Sequence, residues 1–180
     1  AIRLMGRLKP DQKVNAFLQR QLDSDDLDVR IAAYESLVER RDPIVRRARI
    51  GDKFAFEQVP SKKPMVYITQ SMAAKVVIFG ETQEILRPVL VSAWDNRFML
   101  KTTESARDVE ILYRDYRTGK TFKGTVKPDL RSFVSYLAHK QTPEEPAPGL
   151  DLTYSEVVGA LYNVRAGGGL PGDFVTEDDR

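Results

Sequence analysis

Cysteine is absent from these 180 residues, which excludes disulfides, thiolate nucleophiles and cysteine-ligated zinc. Histidine occurs once, as His139. A serine nucleophile would most simply use an imidazole base, and no serine here lies in a Gly-x-Ser-x-Gly elbow. Charge of one sign is not in excess. The chain carries 28 Lys and Arg against 26 Asp and Glu, a net +2, which gives no general electrostatic case for nucleic acid as a partner. Long apolar runs are missing too: the stretch Val76-Val77-Ile78-Phe79 is far short of the roughly 20 residues of a membrane-spanning helix. The opening Ala1-Ile2-Arg3-Leu4-Met5-Gly6 has no initiator methionine and no apolar stretch of signal-peptide length. It reads as a processing boundary, and a signal peptide on a longer parent stays open.

What is present is ordinary for a folded protein, with 42% hydrophobic and 30% charged residues, too apolar for a disordered chain. Residues 1–45 read as a helical hairpin. Val14, Phe17, Leu18 and Leu22 form one apolar stripe after Lys9-Pro10-Asp11. Ser24-Asp25-Asp26 offers N-caps for a second helix, which places Leu27, Ile31, Tyr34 and Val38 on one face with Ala32, Ala33 and Leu37 beside it. Asp42-Pro43 is expected to end that helix.

Residues 46–127 change period. Seven strands are expected: at Phe54 and Phe56, at Val66 and Ile68, at Val76 and Ile78, over Ile85–Trp94 and Arg97–Lys101, and in a hairpin. That hairpin runs from Val109 to Arg117, turns at Thr118-Gly119 and returns from Thr121 to Val126. Ser71-Met72-Ala73-Ala74 and Asp95-Asn96 supply further turns. Short connections without intervening helices predict a mainly antiparallel sheet, sandwich or small barrel.

Residues 128–180 supply two helices and a tail. One starts at Lys127-Pro128-Asp129 with Leu130, Phe133, Val134 and Leu137 inward. The other is capped by Thr153 with Glu156 and stopped by Gly167-Gly168-Gly169. A stiff connector, 142–149, joins them. Phe174 and Val175 are placed to pack back, and Glu177 to Arg180 are expected to fray. The whole is an α+β chain, its last part forming one compact unit with the β region.

Arg46, Arg47 and Arg49 form the strongest basic cluster, with Arg40 and Arg41 just before it and Lys62 and Lys63 as neighbours in space. They are the candidate partner-binding residues, an orienting charged rim around a buried apolar patch. The alternative is a nucleic-acid or anionic-ligand site on the same arginines, and a second alternative is a carboxylate-based hydrolase. Asp23, Asp25, Asp26 and Asp28 lack the glycine and terminal Glu of a calcium loop and read as caps. Gly167-Gly168-Gly169 follows a helix without a lysine, so it is not a phosphate loop. His139 suits a helix C-terminus. Trp94, Phe98, Tyr113, Tyr116 and Phe122 fall on strands, where packing is the default. No catalytic residue, cofactor or metal is assigned. The expected partners are other protein subunits or domains of a larger assembly in preference to nucleic acid, with no membrane span.

Two resemblances accompany this reading. Asp25-Asp26-Leu27-Asp28-Val29-Arg30-Ile31-Ala32-Ala33-Tyr34-Glu35-Ser36-Leu37 resembles the second helix of a HEAT-type repeat, with Glu35-Ser36-Leu37 in place of its second Ala-Leu pair. It covers one repeat, where an independent solenoid needs about three, which implies a helical hairpin docked on something else. The order of that hairpin, Gly51-Asp52-Lys53-Phe54, Pro64-Met65-Val66-Tyr67-Ile68-Thr69-Gln70, Val77-Ile78-Phe79-Gly80 and Leu152-Thr153-Tyr154-Ser155-Glu156-Val157-Val158-Gly159-Ala160-Leu161-Tyr162 resembles the C-terminal part of planctomycete-type flagellar P-ring-like proteins. That resemblance implies a periplasmic or envelope-associated assembly component, a non-catalytic structural protein. From the residues alone the cytoplasm stays open.

Overall fold

The computed structural model describes residues 2–6, 11–70 and 73–179. The expected turn at Ser71-Met72, the dipeptide Lys9-Pro10 and the terminal Arg180 lie outside them. A short helix, α1 (Ile2–Met5), precedes α2 (Gln12–Gln21) and α3 (Leu27–Glu39). Asp11 caps α2 by accepting from the Lys13 amide at 2.7 Å. Asp26 caps α3 by accepting from Asp28 and Val29, which satisfies amides that the first turn leaves free.

Helix α3 stops before Asp42-Pro43. Arg41 adopts φ 53°, and the Arg41 and Asp42 amides donate back to Val38 and Leu37, a left-handed closure of the last turn. The Asp42 carboxylate is buried and accepts from Asn15, Gln19 and the Ile44 amide.

Strands β1 (Arg46–Ile50), β2 (Phe54–Val59), β3 (Met65–Thr69) and β4 (Lys75–Phe79) form the first sheet with β9 (Asp173–Thr176), in the order β1-β2-β4-β3-β9. The sheet is mixed: β2–β4 and β3–β9 are parallel, and the other two pairs antiparallel. Its alternate residues enter two cores. Met65, Tyr67, Val77, Phe79 and Val59 meet Leu18, Ile31, Tyr34 and Leu37 of α2 and α3. Phe54, Phe56, Val66, Ile68, Val76 and Ile78 face the opposite way. Burial on both faces explains why these strands read as continuous apolar runs.

The second sheet is an antiparallel meander of β5 (Val89–Ala93), β6 (Phe98–Thr102), β7 (Val109–Arg114) and β8 (Thr121–Val126). Between the two sheets lie α4 (Leu130–Ala138) and α5 (Tyr154–Ala166), whose apolar side chains belong to the same core as both. The structure is thus α+β as expected, but as two open sheets with helices between them and no closed barrel.

Caps and ties fix these helices. Asp129 accepts from the Ser132 amide at 2.8 Å, and Thr153 with Glu156 forms a complete capping box. Lys53, in the turn after β1, donates to the Ala138 and Leu152 carbonyls and pairs with Asp151 at 2.6 Å. Tyr154 donates from its hydroxyl to the Thr69 and Lys75 carbonyls.

Several elements differ from the sequence reading. Arg46–Ile50 is a strand, not only a charge cluster. Over Ile85–Trp94 the strand begins at Val89, after a cis Arg87–Pro88 bond and an Ile85 amide tied to the Pro128 carbonyl. Strand β7 ends at Arg114 rather than Arg117, because Asp115 folds the turn by accepting from the Arg117 amide and the Thr118 hydroxyl. Trp94, Asp95 and Asn96 all have positive φ in the β5–β6 turn. The C-terminus does not fray at once. Gly172, at φ 71° and packed so closely on the Pro64 carbonyl that a side chain has no room, leads into β9, and the Glu177 carboxylate accepts from the Gln70 amide at 3.0 Å.

Candidate interaction surface

The five residues singled out as a basic cluster do not converge. Strand β1 is an outside strand, and its register sets Arg46 beside Gln58 and Arg47 beside Glu57. Side chains alternate across a strand, so Arg46 points with Ala48 and Ile50 to one face while Arg47 and Arg49 point to the other. Arg47 lies 3.5 Å from Glu57 and donates to the Val38 carbonyl. Arg49 lies 3.9 Å from Asp52. Lys62 and Lys63 sit in the β2–β3 loop against the start of α3, where the Lys62 amide donates to Asp23 at 2.7 Å and the Lys63 ammonium pairs with Asp25. Arg40 is spent inside, donating to Asn15 and to the Met5 carbonyl.

A buried ionic cluster joins α3 to the first sheet at Glu57 of β2. Glu57, 4% exposed, accepts from the Tyr34 hydroxyl at 2.6 Å and has Arg47 at 3.5 Å and Lys75 at 3.8 Å. Burial and, next, the Glu57 charge push the Tyr34 phenol well above its ordinary pKa, so its proton stays committed to Glu57. The cluster ties α3 to three strands. A buried carboxylate that lost these partners would be costly.

His139 is the C-cap residue of α4, with Nδ1 3.8 Å from Glu145 across the connector. Among the described residues no group of three or more His, Asp or Glu could hold a metal ion. No described helix is long and apolar enough to cross a membrane.

The second sheet is different. Its inner face, with Val89, Val91, Phe98, Leu100, Val109, Ile111 and Tyr113, is buried. Its outer face has no covering layer among the described residues. There the cross-strand row Ser92–Met99–Leu112–Lys123 runs beside the row Leu90–Lys101–Glu110–Thr125. Leu90 is 67% exposed and Met99 36%, and Leu112, beside Met99 on β7, is half-buried. Exposed Lys101, Glu110, Arg114 and Lys123 share this face. At the hairpin tip Tyr116 is exposed, not packed as its position suggested, and the Arg97 and Arg117 guanidiniums lie 5.5 and 5.6 Å from its ring centre.

No protein-family model, curated protein or solved structure matches the chain.

Charge does not mark this outer face in the sequence. The signal was there in Val89-Leu90-Val91 and Phe98-Met99-Leu100, where both phases of a strand are apolar although only one reaches the core.

Proposed function

We propose that this chain is a non-catalytic protein–protein interaction module of a larger assembly, and that its contact surface is the outer face of the second sheet. The observation that carries this is the exposed apolar pair Leu90 and Met99 on a solvent-facing sheet surface, with Lys101, Glu110, Arg114 and Lys123 on the same face. An apolar centre with a charged rim is the common anatomy of protein interfaces. Burying one such side chain contributes about 1.5–3 kcal/mol. The arginine strand β1 then serves chiefly to hold its own sheet, and the anionic-ligand alternative loses the continuous basic face it needs.

The order of segments similar to flagellar P-ring-like proteins supports an envelope-associated, periplasmic setting. The helical pair resembling one HEAT unit supports a scaffold role, since α2 and α3 present their apolar faces to the first sheet instead of to further repeats.

The test is co-recovery of partners by the tagged chain in its source cells, comparing wild type with a Leu90→Glu, Met99→Glu double variant. Both positions are solvent-facing, so the variant should fold with a thermal midpoint near that of wild type. The expected result is loss of a defined set of proteins that wild type retains. Identical protein sets from a folded variant would refute the reading.

A further inference from the structure

Strand β8 is an outside strand whose backbone has one free side. Among the described residues no backbone hydrogen bond links Thr121–Val126 to any segment other than β7. The other outside strand of this sheet, β5, is crowded. The turn ending α5 lies against it, and a side-chain carbon at Gly167 would come 2.8 Å from Val91 Cγ2 and 3.7 Å from the Leu90 carbonyl oxygen. From Arg117 to Lys127 the chain carries four cations, Arg117, Lys120, Lys123 and Lys127, and no carboxylate. Arg117 faces Asp115 at 3.6 Å. The three lysines are exposed and form no ion pair among the described residues.

The two faces of β8 differ. Thr121, Lys123 and Thr125 lie on the outer face, beside Arg114, Leu112 and Glu110. Phe122, Gly124 and Val126 lie on the inner face. Phe122 stacks on Tyr113 at 6.3 Å with part of its ring exposed, and the Tyr136 hydroxyl lies beneath Gly124. Past Val126 the strand borders a groove of about 1160 Å³ lined also by Lys127, Tyr136 and Lys140.

We propose that β8 extends its sheet by accepting, edge to edge, an extended segment of a partner protein in which acidic and apolar residues alternate. The partner's acidic side chains would meet Lys123 on the outer face, with Lys120 and Lys127 flanking the strand at its two ends. Its apolar side chains would pack by Phe122 and Val126 toward the groove. Backbone hydrogen bonds supply affinity in such strand addition, and alternate side chains supply specificity. A lysine in the middle of an open edge also disfavours pairing with a second copy of itself. The proposal rests on the reading of the second sheet as a contact surface, and it names the chemistry of the partner.

The experiment uses the full chain with two synthetic probes matched to the six residues of β8, acetylated and amidated repeats of Val-Glu and of Val-Lys. Amide hydrogen exchange is followed residue by residue, and affinity is measured at low and high salt. The expected result is slowed exchange over Thr121–Val126 with the Val-Glu probe alone, weakened by salt. Lys123→Glu should weaken that probe about tenfold and strengthen the Val-Lys probe.

Protection by neither probe, by both equally, or at another segment overturns the proposal. So does concentration-dependent self-association through β8, which would make a second copy the occupant. If β8 stays unprotected while the Leu90→Glu, Met99→Glu variant still loses its partners, the edge fails and the face survives. If β8 binds the acidic probe but that variant keeps all its partners, the face fails instead.

Discussion

The first sheet has protein on both sides and the second has protein on one. In the first, the helical pair takes Tyr67, Val77 and Phe79 while α4 and α5 take Val66, Val76 and Ile78. Every central position is therefore committed to packing. In the second, one face anchors Phe98, Leu100 and Ile111 and the other holds Leu90 and Met99 in water. A position that packing does not need is free to serve contact. Packing uses both faces of the first sheet and one face of the second.

That contrast breaks most readily on paired substitutions. Phe56→Ala, in the middle of β2, should cost about 3–5 kcal/mol in urea unfolding, because a fully enclosed ring leaves a cavity. Leu90→Ala should stay within about 0.5 kcal/mol, since its side chain already meets solvent. A Leu90→Ala cost approaching that of Phe56→Ala would mean that the outer face is covered after all.

A smaller effect sharpens the picture through pH. Tyr34 and Tyr154 border the first sheet on its two sides. Burial raises both phenols, with Glu57 adding to the effect at Tyr34 and Tyr154 pushed up to about 12. Burial raises Tyr113 and Tyr136 as well. A folded-state pKa above the unfolded value stabilises fully below the unfolded value, near 10.0, and is lost as pH rises through the folded value. Unfolding should therefore set in as pH climbs from about 10 toward about 12. In a Tyr116→Phe, Tyr162→Phe background, which removes two exposed phenols, tyrosinate absorbance should appear together with loss of near-ultraviolet circular dichroism. Gradual tyrosinate formation with tertiary signal intact would contradict that coupling.

Much of this architecture is readable in the residues. Asp11, Asp26, Asp129 and the Thr153–Glu156 pair mark helix starts by a local chemistry that needs no tertiary context. The left-handed Gly119, at φ 68°, marks the β7–β8 turn in the same way. Strands β1 and β9 were hidden for different reasons. Arg46-Arg47-Ala48-Arg49-Ile50 has the alternation of a strand, with Ala48 and Ile50 in phase, but its arginines read first as a charge patch. Strand β9 is four residues long, and it pairs in parallel with β3 across more than a hundred residues of chain. No local signal announces such a partner. The scattering of Arg46, Arg47, Arg49, Lys62 and Lys63 was hidden likewise. Proximity in sequence could not show that strand alternation separates the arginines, or that Asp23 and Asp25 engage the lysine loop.

The claim that the second sheet's outer face is the contact surface is tested most directly by hydroxyl-radical footprinting of the isolated chain against the chain in its native assembly. Met99 and Leu90 should be oxidised in isolation and protected on assembly, while Tyr162, exposed on α5, should react equally in both. Equal oxidation of Met99 in the two states, with protection appearing at Tyr162 instead, would contradict it.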